Sequence, residues 1–522
     1  MNFSSRATRL TIASAMALAF ALPAPLWAQQ SPGATSPSGL PSLGDGASLT
    51  ISAERRLGDE IAREIYKDPD YLDDPVLSQY LLQTWMPLVR AAQARGDVPA
   101  EISGRMAWEL MIARDRRVNA FALPGGYMGV NLGLIAVTES RSELASVLAH
   151  ELTHVSQRHI ARMITQQDRT APLLMGAMVL GAIAAGTNVD VANAAIMGSQ
   201  ALAVQAQLNF SRDMEREADR IGFGVMTEAG YEGEGFVSMF DKLQQASRLN
   251  DDGAFPYLRS HPLTSERMAD MRSRIPLAQL GPTRAAAEAM GGSPARAVDA
   301  QHLLMAARAR VLAESKPDLW RAWEAQGLAD KASVAEQYAG ALSAMRLGQL
   351  DNALTLANRL KSRVKGVDEP VVDWLLLEIG ASRSAGAAAR SPGYEGLARQ
   401  MAARTDRSSV LLGAQALMAM GRHQDAVDAL RAYGSLHPRD ALIWQQLSRA
   451  YAALGQRLRS VRADAEAQMA YLDYAGAVAR FKAAQALPLA ERNADPMEQA
   501  IVDARLREAE RLRKESVAAA ER

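Results

Sequence analysis

The stretch LASVLAHELTHVSQRH, residues 144–159, holds three of the chain's seven histidines within ten positions, on a segment whose apolar residues otherwise keep helical spacing. Leu144, Val147, Leu148, Leu152, Val155 and Ile160 share one face of a helix predicted from Ser142 to Ile164. On such a helix His150 and His154 stand one turn apart, so both imidazoles can reach a single ion. Two neutral imidazoles and a carboxylate suit Zn²⁺. Glu151 sits about 100° around the helix from His150, beside that ion, where it can accept a proton from an activated water. His159 lies five positions past His154 and faces roughly 140° away, which makes it a structural or surface residue.

A catalytic zinc needs a third protein ligand and an open coordination position. Downstream, NFSRDMEREADRIGFGVM (209–226) offers Glu215 and Asp219, again one helical turn apart. Glu215 can complete the ligand set while Asp219 receives the N–H of a ligand imidazole and fixes its tautomer. Glu217, between them, reads as a solvated charge. Arg212, Arg216 and Arg220 alternate with the acids, as on a salt-bridged surface helix.

Upstream of the histidines the period changes. In RMAWELMIARDRRVNAFALPGGYMGVNLGLIAVT (105–138), two β-like runs, Ala107 to Ala113 and Tyr127 to Val130, flank a Pro-Gly turn. This predicts a small twisted sheet. Its last strand, Tyr127, Met128, Gly129 and Val130, is expected either to lie at an edge and hold an extended peptide by main-chain hydrogen bonds or only to roof the core. Helices are predicted from Ile51, with Ser52 as a cap candidate, and from Val76 to Ala94.

At the start of the chain Arg6 and Arg9 precede an apolar run from Leu10 to Leu22, the pattern of an export signal, with cleavage expected near Ala28; the alternative is a retained anchor. Residues 29–50, rich in Ser, Pro and Gly, read as a disordered leader. Cysteine is absent, so disulfides are excluded. The 58 basic and 58 acidic side chains balance and give no field to attract nucleic acid. Residues 172–204 are apolar but interrupted, consistent with a buried hairpin or with a flap that touches lipid or an unfolded client.

Beyond residue 300 the sequence turns helical and Ala-rich. AMRLGQLDNAL (344–354), AMGRHQDAVDAL (419–430) and ALGQRLRSV (453–461) share a phrase, and a weaker copy, LDYAGAVARFKAA, begins at 472. Gly421 and Gly455 lie 34 positions apart, the period of a tetratricopeptide repeat. The organisation expected is signal 1–28, leader 29–50, peptidase 51–280, linker 281–300 and an all-α repeat solenoid 301–522, whose concave surface suits a partner.

Four segments, RDRRVNAFALPGGYMGVNLGLI, SELASVLAHELTHVSQRHIAR, SRDMEREADRIG and HPLTSERMADM, occur in this order, and residues 114–271 closely resemble the zinc endopeptidase family of HtpX and the CAAX prenyl proteases. The resemblance implies an α+β, mostly helical gluzincin-type domain with a small sheet. It implies one Zn²⁺ per chain held by His150, His154 and Glu215, Glu151 as general base and Asp219 behind the ligands. It also implies a site role for His261 and Arg267, which match a His-Pro-x-x-x-x-Arg segment. That pair either steadies the tetrahedral intermediate, or the histidine occupies the open position and keeps the enzyme latent. The membrane-spanning helices of HtpX are missing. An export signal in front and repeats behind resemble periplasmic family members of Gram-negative bacteria. The resemblance implies misfolded outer-membrane proteins as substrates and the β-barrel assembly machinery, LptD and LptE as partners, with chaperone-like assistance. A scaffold whose zinc site is closed by His261 is the competing expectation.

Overall fold

Thr50, not Ser52, starts the first helix: its hydroxyl accepts from Ala53 N at 3.1 Å and its φ and ψ are extended, as a cap requires. The computed structural model describes residues 49–166, 212–249, 254–275, 299–366, 369–382 and 392–520. The signal 1–28, the leader to residue 48, the apolar segment 172–204 and nearly all of the linker lie outside the described residues.

Helix α1 (Ile51–Lys67) precedes, and helix α2 (Pro75–Ala94) follows the first strand of, a four-stranded sheet of β1 (Tyr71–Leu72), β2 (Glu109–Ala113), β3 (Ala120–Leu123) and β4 (Tyr127–Asn131). The spatial order is β1-β2-β4-β3: β2 runs parallel to β4, and β3 pairs antiparallel with it, Ala122 opposite Met128. The expected edge at Tyr127, Met128, Gly129 and Val130 is therefore corrected. All four are buried in a strand that is paired on both sides, so its amides and carbonyls are consumed within the sheet. The cause is the parallel crossover from β2, which inserts β4 between β2 and β3. Edge strand β3 instead faces the histidine helix.

That helix, α3 (Arg141–Ser156), is capped by Ser140 and buried along nearly its whole length. It does not continue to Ile164. Arg158 adopts φ of 53°, which breaks the helix before α4 (His159–Gln166) begins. Helix α5 (Arg212–Glu228) packs across α3 at Gly222, where an added Cβ would stand 3.1 Å from the Ala149 and His150 backbones. No described helix is long and apolar enough to cross a membrane.

The remaining described elements are helices, giving the α+β class expected. The repeated phrase has a local structural meaning. Gly348, Gly421 and Gly455 each take φ between 73° and 76° directly after a helix end, a left-handed conformation that strains any residue with a Cβ even though the space around them is open. Gly421 N–H then bonds Met418 O, and Arg422 N–H bonds Leu417 O at 2.8 Å, the paired bonds that close a helix C-terminus. In the weaker copy Leu472 takes the same conformation, φ 58°, and its carbonyl accepts from Arg63 Nε of α1 at 2.7 Å. Ala353, Ala426 and Ala477 are fully buried where helices meet, and Tyr338 and Phe481 fill the spaces between them, whereas Trp444 is only half-buried.

Ala47–Arg522 form one compact unit, and one apolar core runs through both halves. Two arginines join them, Arg308 buried and Arg407 partly buried. Arg308 pairs with Asp74 at 2.6 Å and with Glu378 at 2.6 Å, while Arg407 bridges Asp73 and Asp440. His302, given no role from sequence, is completely buried between Tyr80 Oη (2.6 Å) and Thr138 O (2.8 Å).

Candidate metal centre

Helix α3 carries His150, Glu151 and His154; α5 supplies Glu215 and Asp219; the turn before a short helix at Ser265–Ser273 supplies His261, and that helix itself supplies Arg267. The local sequence sets each position. The four-residue spacing stacks the two imidazoles on one face, and the same spacing aims both acids of α5 at α3. The outer face of α5 carries ion pairs with surface residues, Arg220 to Asp270 among them, so the helix is salt-bridged outside and turns Glu215 and Asp219 inward.

All of the central groups are buried. His150 Nε2 and His154 Nε2 approach to 3.0 Å, and the Glu215 carboxylate reaches them at 3.5 and 3.6 Å. Two zinc bonds of about 2.0–2.1 Å meeting near the tetrahedral angle would set donor atoms roughly 3.3 Å apart. The three groups therefore fit one small divalent cation.

His150, Glu151, His154 and His261 also lie close enough together to share an ion. Glu215 is nevertheless the better third ligand than Glu151. One Glu151 oxygen, Oε2, already accepts the Ala122 amide of β3 at 2.9 Å, and the other, Oε1, is buried with no hydrogen-bond partner. An orphaned carboxylate oxygen at a donor cluster suits a general base awaiting a water.

Charges behind the cluster fix its orientation. Asp219 Oδ1 lies 2.9 Å from His150 Nδ1 and receives its proton, leaving the Nε2 lone pair facing inward. Arg267 grips Asp219 with two nitrogens (2.6 and 2.8 Å), contacts Glu215 at 2.8 Å, donates to Pro262 O and stacks over Phe240. Its guanidinium is spent on holding carboxylates, which opposes the expected role of Arg267 on the intermediate.

His261 lies inside the cluster. Its Nδ1 is 2.9 Å from Glu215 and 3.4 Å from His150 Nε2, its Nε2 is 3.4 Å from Glu151 Oε1, and its ring stacks on Tyr257.

The electrostatics follow from burial and partners. Burial opposes charge on His150, yet the Asp219 and Glu215 carboxylates outweigh it and raise the imidazole to about 9. Burial pushes the Glu151 carboxyl up. Burial works in the same direction on Glu215, but facing His261 and His150 hold its carboxyl well below the usual range. The centre thus favours positive charge between Glu215 and Asp219.

Two residues read as peripheral are not. His159 is fully buried with Nδ1 2.8 Å from His154 Nδ1, and its Nε2 is 3.1 Å from Glu217. The 140° expectation fails because the helix breaks at Arg158. Glu217 is not a free solvated charge: besides His159 it binds Arg162 at 2.9 Å. The QRH that follows His154, too close in sequence for a second ligand, was the available signal.

Fold and donor set define a metallopeptidase, and residues 88–275 match Peptidase family M48. Over most of its length the chain is similar to the beta-barrel assembly-enhancing protease of Escherichia coli, 28% identical over 444 residues, 82% of this chain and 83% of that one. The Vibrio cholerae counterpart is 35% identical over 240 residues, 46% of this chain and about half of its own length, 48%. A mitochondrial metalloendopeptidase of Arabidopsis thaliana is 30% identical over 189 residues, 36% of each chain. The protein is a metalloprotease.

Proposed function

We propose that the protein is a periplasmic zinc endopeptidase that removes misfolded outer-membrane proteins and assists the assembly of others. The observation that carries the chemistry is the convergence of His150, His154 and Glu215 around one point, with the unpartnered Glu151 oxygen beside it. The names of the bacterial relatives support the link to β-barrel assembly. The apolar pattern after Arg6 and Arg9 supports export and the periplasm.

In this reading His150, His154 and Glu215 hold the zinc, one per chain. Bound there, zinc supplies the Lewis acidity that polarises a scissile carbonyl and makes water a nucleophile near neutral pH. The Ala122 amide holds Glu151 so that Oε1 takes the proton of the attacking water and returns it to the leaving amine. Burial, which raises the Glu151 carboxyl, helps it keep that proton in between. Asp219 fixes His150, and Arg267 holds Asp219 and Glu215. His261 is the remaining donor for the oxyanion. Substrate is assigned to β3, which among the described residues has one strand neighbour and bonds Glu151, in place of β4. The repeat half offers its surface to clients or to the assembly machinery, LptD and LptE.

One observation favours a second reading. His261 Nδ1 stands among the ligand atoms, 2.9 Å from Glu215, as a fourth donor of a closed, latent site would. Glu151→Gln tests the proteolytic reading. In cells making a misfolded barrel protein, degradation should stop while the purified variant still binds zinc; unchanged degradation overturns it. His261→Ala separates the two roles: a rise in peptidase activity means a latch, a fall means an oxyanion donor.

A further inference from the structure

The two imidazoles on α3 are held from behind by different devices. His150 leans on a buried carboxylate, Asp219, itself locked by Arg267. His154 is held at its Nδ1 by a different kind of group. It meets another imidazole, His159 Nδ1, at 2.8 Å, and the far nitrogen of that ring meets Glu217 at 3.1 Å. The geometry points to His159 and Glu217 as positioning residues: a carboxylate–imidazole relay that selects the His154 tautomer with its Nε2 lone pair directed at the metal. This inference rests on the proposed zinc site.

The argument is a proton count. A carboxylate only accepts, so His159 Nε2 must carry a proton to bond Glu217. A neutral His159 then has a lone pair at Nδ1. At 2.8 Å the facing His154 Nδ1 must supply the proton of that hydrogen bond, and its Nε2 is left bare. The opposite arrangement, with the proton on His154 Nε2, would put two lone pairs or a charged His159 at the contact, and it would block coordination. Arg162, 2.9 Å from Glu217, keeps that carboxylate in place. The relay exists because Arg158 turns the chain, at φ 53°, so that His159 swings back under His154. With Asp219 accepting from the other ring the same way, the two Nε2 atoms face each other at 3.0 Å, where both can turn a lone pair toward one cation.

The test is zinc affinity of the full chain, measured by competition with a chromophoric chelator. Glu217→Gln keeps the shape but can donate to His159 Nε2, which permits the wrong tautomer throughout. It should weaken zinc binding about 10-fold, and His159→Phe about 10- to 100-fold, the range for partners that orient a ligand. Both should keep the wild-type circular dichroism. Adding back an acceptor in His159→Gln should recover part of the loss. Ring ¹⁵N spectra of the zinc-loaded wild type, sparse because the chain has seven histidines, should show an unprotonated, hydrogen-bonded Nδ1 on His159. A protonated His159 Nδ1, or equal zinc affinity in wild type and Glu217→Gln, overturns the relay while leaving the zinc site intact. A wild type that binds no zinc removes the site and the relay together.

Discussion

Between α3, α5 and the turn at His261 the meeting space holds three histidines, three acids and an arginine, all buried. Where helices meet in the repeat half, Ala353, Leu356, Leu360, Ala426 and Leu430 occupy the same kind of space. Apolar packing stabilises a helix pair through area removed from water, and it tolerates small shifts. A buried cluster of acids and imidazoles is costly without a counter-charge and depends on donor positions to within about half an ångström. The contrast teaches where each half is vulnerable: the peptidase half in its chemistry, the repeat half in its backbone turns. The two meet through buried ion pairs that belong to neither pattern.

The sharpest way to break the comparison is at Glu151. Glu151→Gln should lower peptidase activity by about 10²- to 10⁴-fold. Thermal unfolding should be unchanged or slightly improved, because a buried carboxyl that burial already pushes up has been neutralised. A large loss of stability would mean that the residue is structural.

At the junction, Asp74→Ala leaves Arg308, 1% exposed, facing Glu378 and the Tyr338 hydroxyl, and it also removes the cap that Leu77 N donates to at the start of α2. Removing one partner of a buried pair costs about 3–5 kcal/mol. Urea unfolding of the full chain should show it, and a change below about 1 kcal/mol would mean that solvent reaches the junction.

Gly222→Ala probes the helix crossing that places the acids. Its Cβ would press on the His150 backbone at 3.1 Å and push α5 away. Overpacking should cost about 1–3 kcal/mol and weaken zinc retention against a chelator. Retention equal to wild type would show that Glu215 does not depend on this crossing.

The smallest effects lie in the repeat turns and sharpen the contrast. Gly421→Ala forces a side chain into φ 76° and should cost about 1–2 kcal/mol, with activity on a short peptide unaffected. Leu472→Gly should move the unfolding midpoint by less than about 1 kcal/mol, because relief of its left-handed conformation offsets lost packing against α1. A clear gain in stability would mean that the Leu472 side chain contributes nothing to docking.

Local periodicity made much of this molecule legible in its letters. Four-residue spacing on a helix puts His150 over His154 and Glu215 over Asp219 whatever surrounds them, because the helix repeats every 3.6 residues. Glycine at a helix end implies a left-handed turn, because only glycine enters that conformation without a Cβ clash. The α+β class, the ligand candidates and the repeat phrase all rest on such short-range rules.

What only the tertiary structure decided depends on groups distant in sequence or on one broken turn. The order β1-β2-β4-β3 made Tyr127–Asn131 central, since strand pairing is chosen by the crossover and not by strand composition. The break at Arg158 turned His159 from an outward residue into the partner of His154. Arg267 was committed to Asp219 and Glu215 by two helices meeting around it, a charge balance that no linear spacing encodes. Sequence alone determined which donors the protein has and how each pair is spaced, because helix geometry is local. Which atoms those donors face was settled by packing, because a proton or a lone pair is directed only by the group that ends up opposite it.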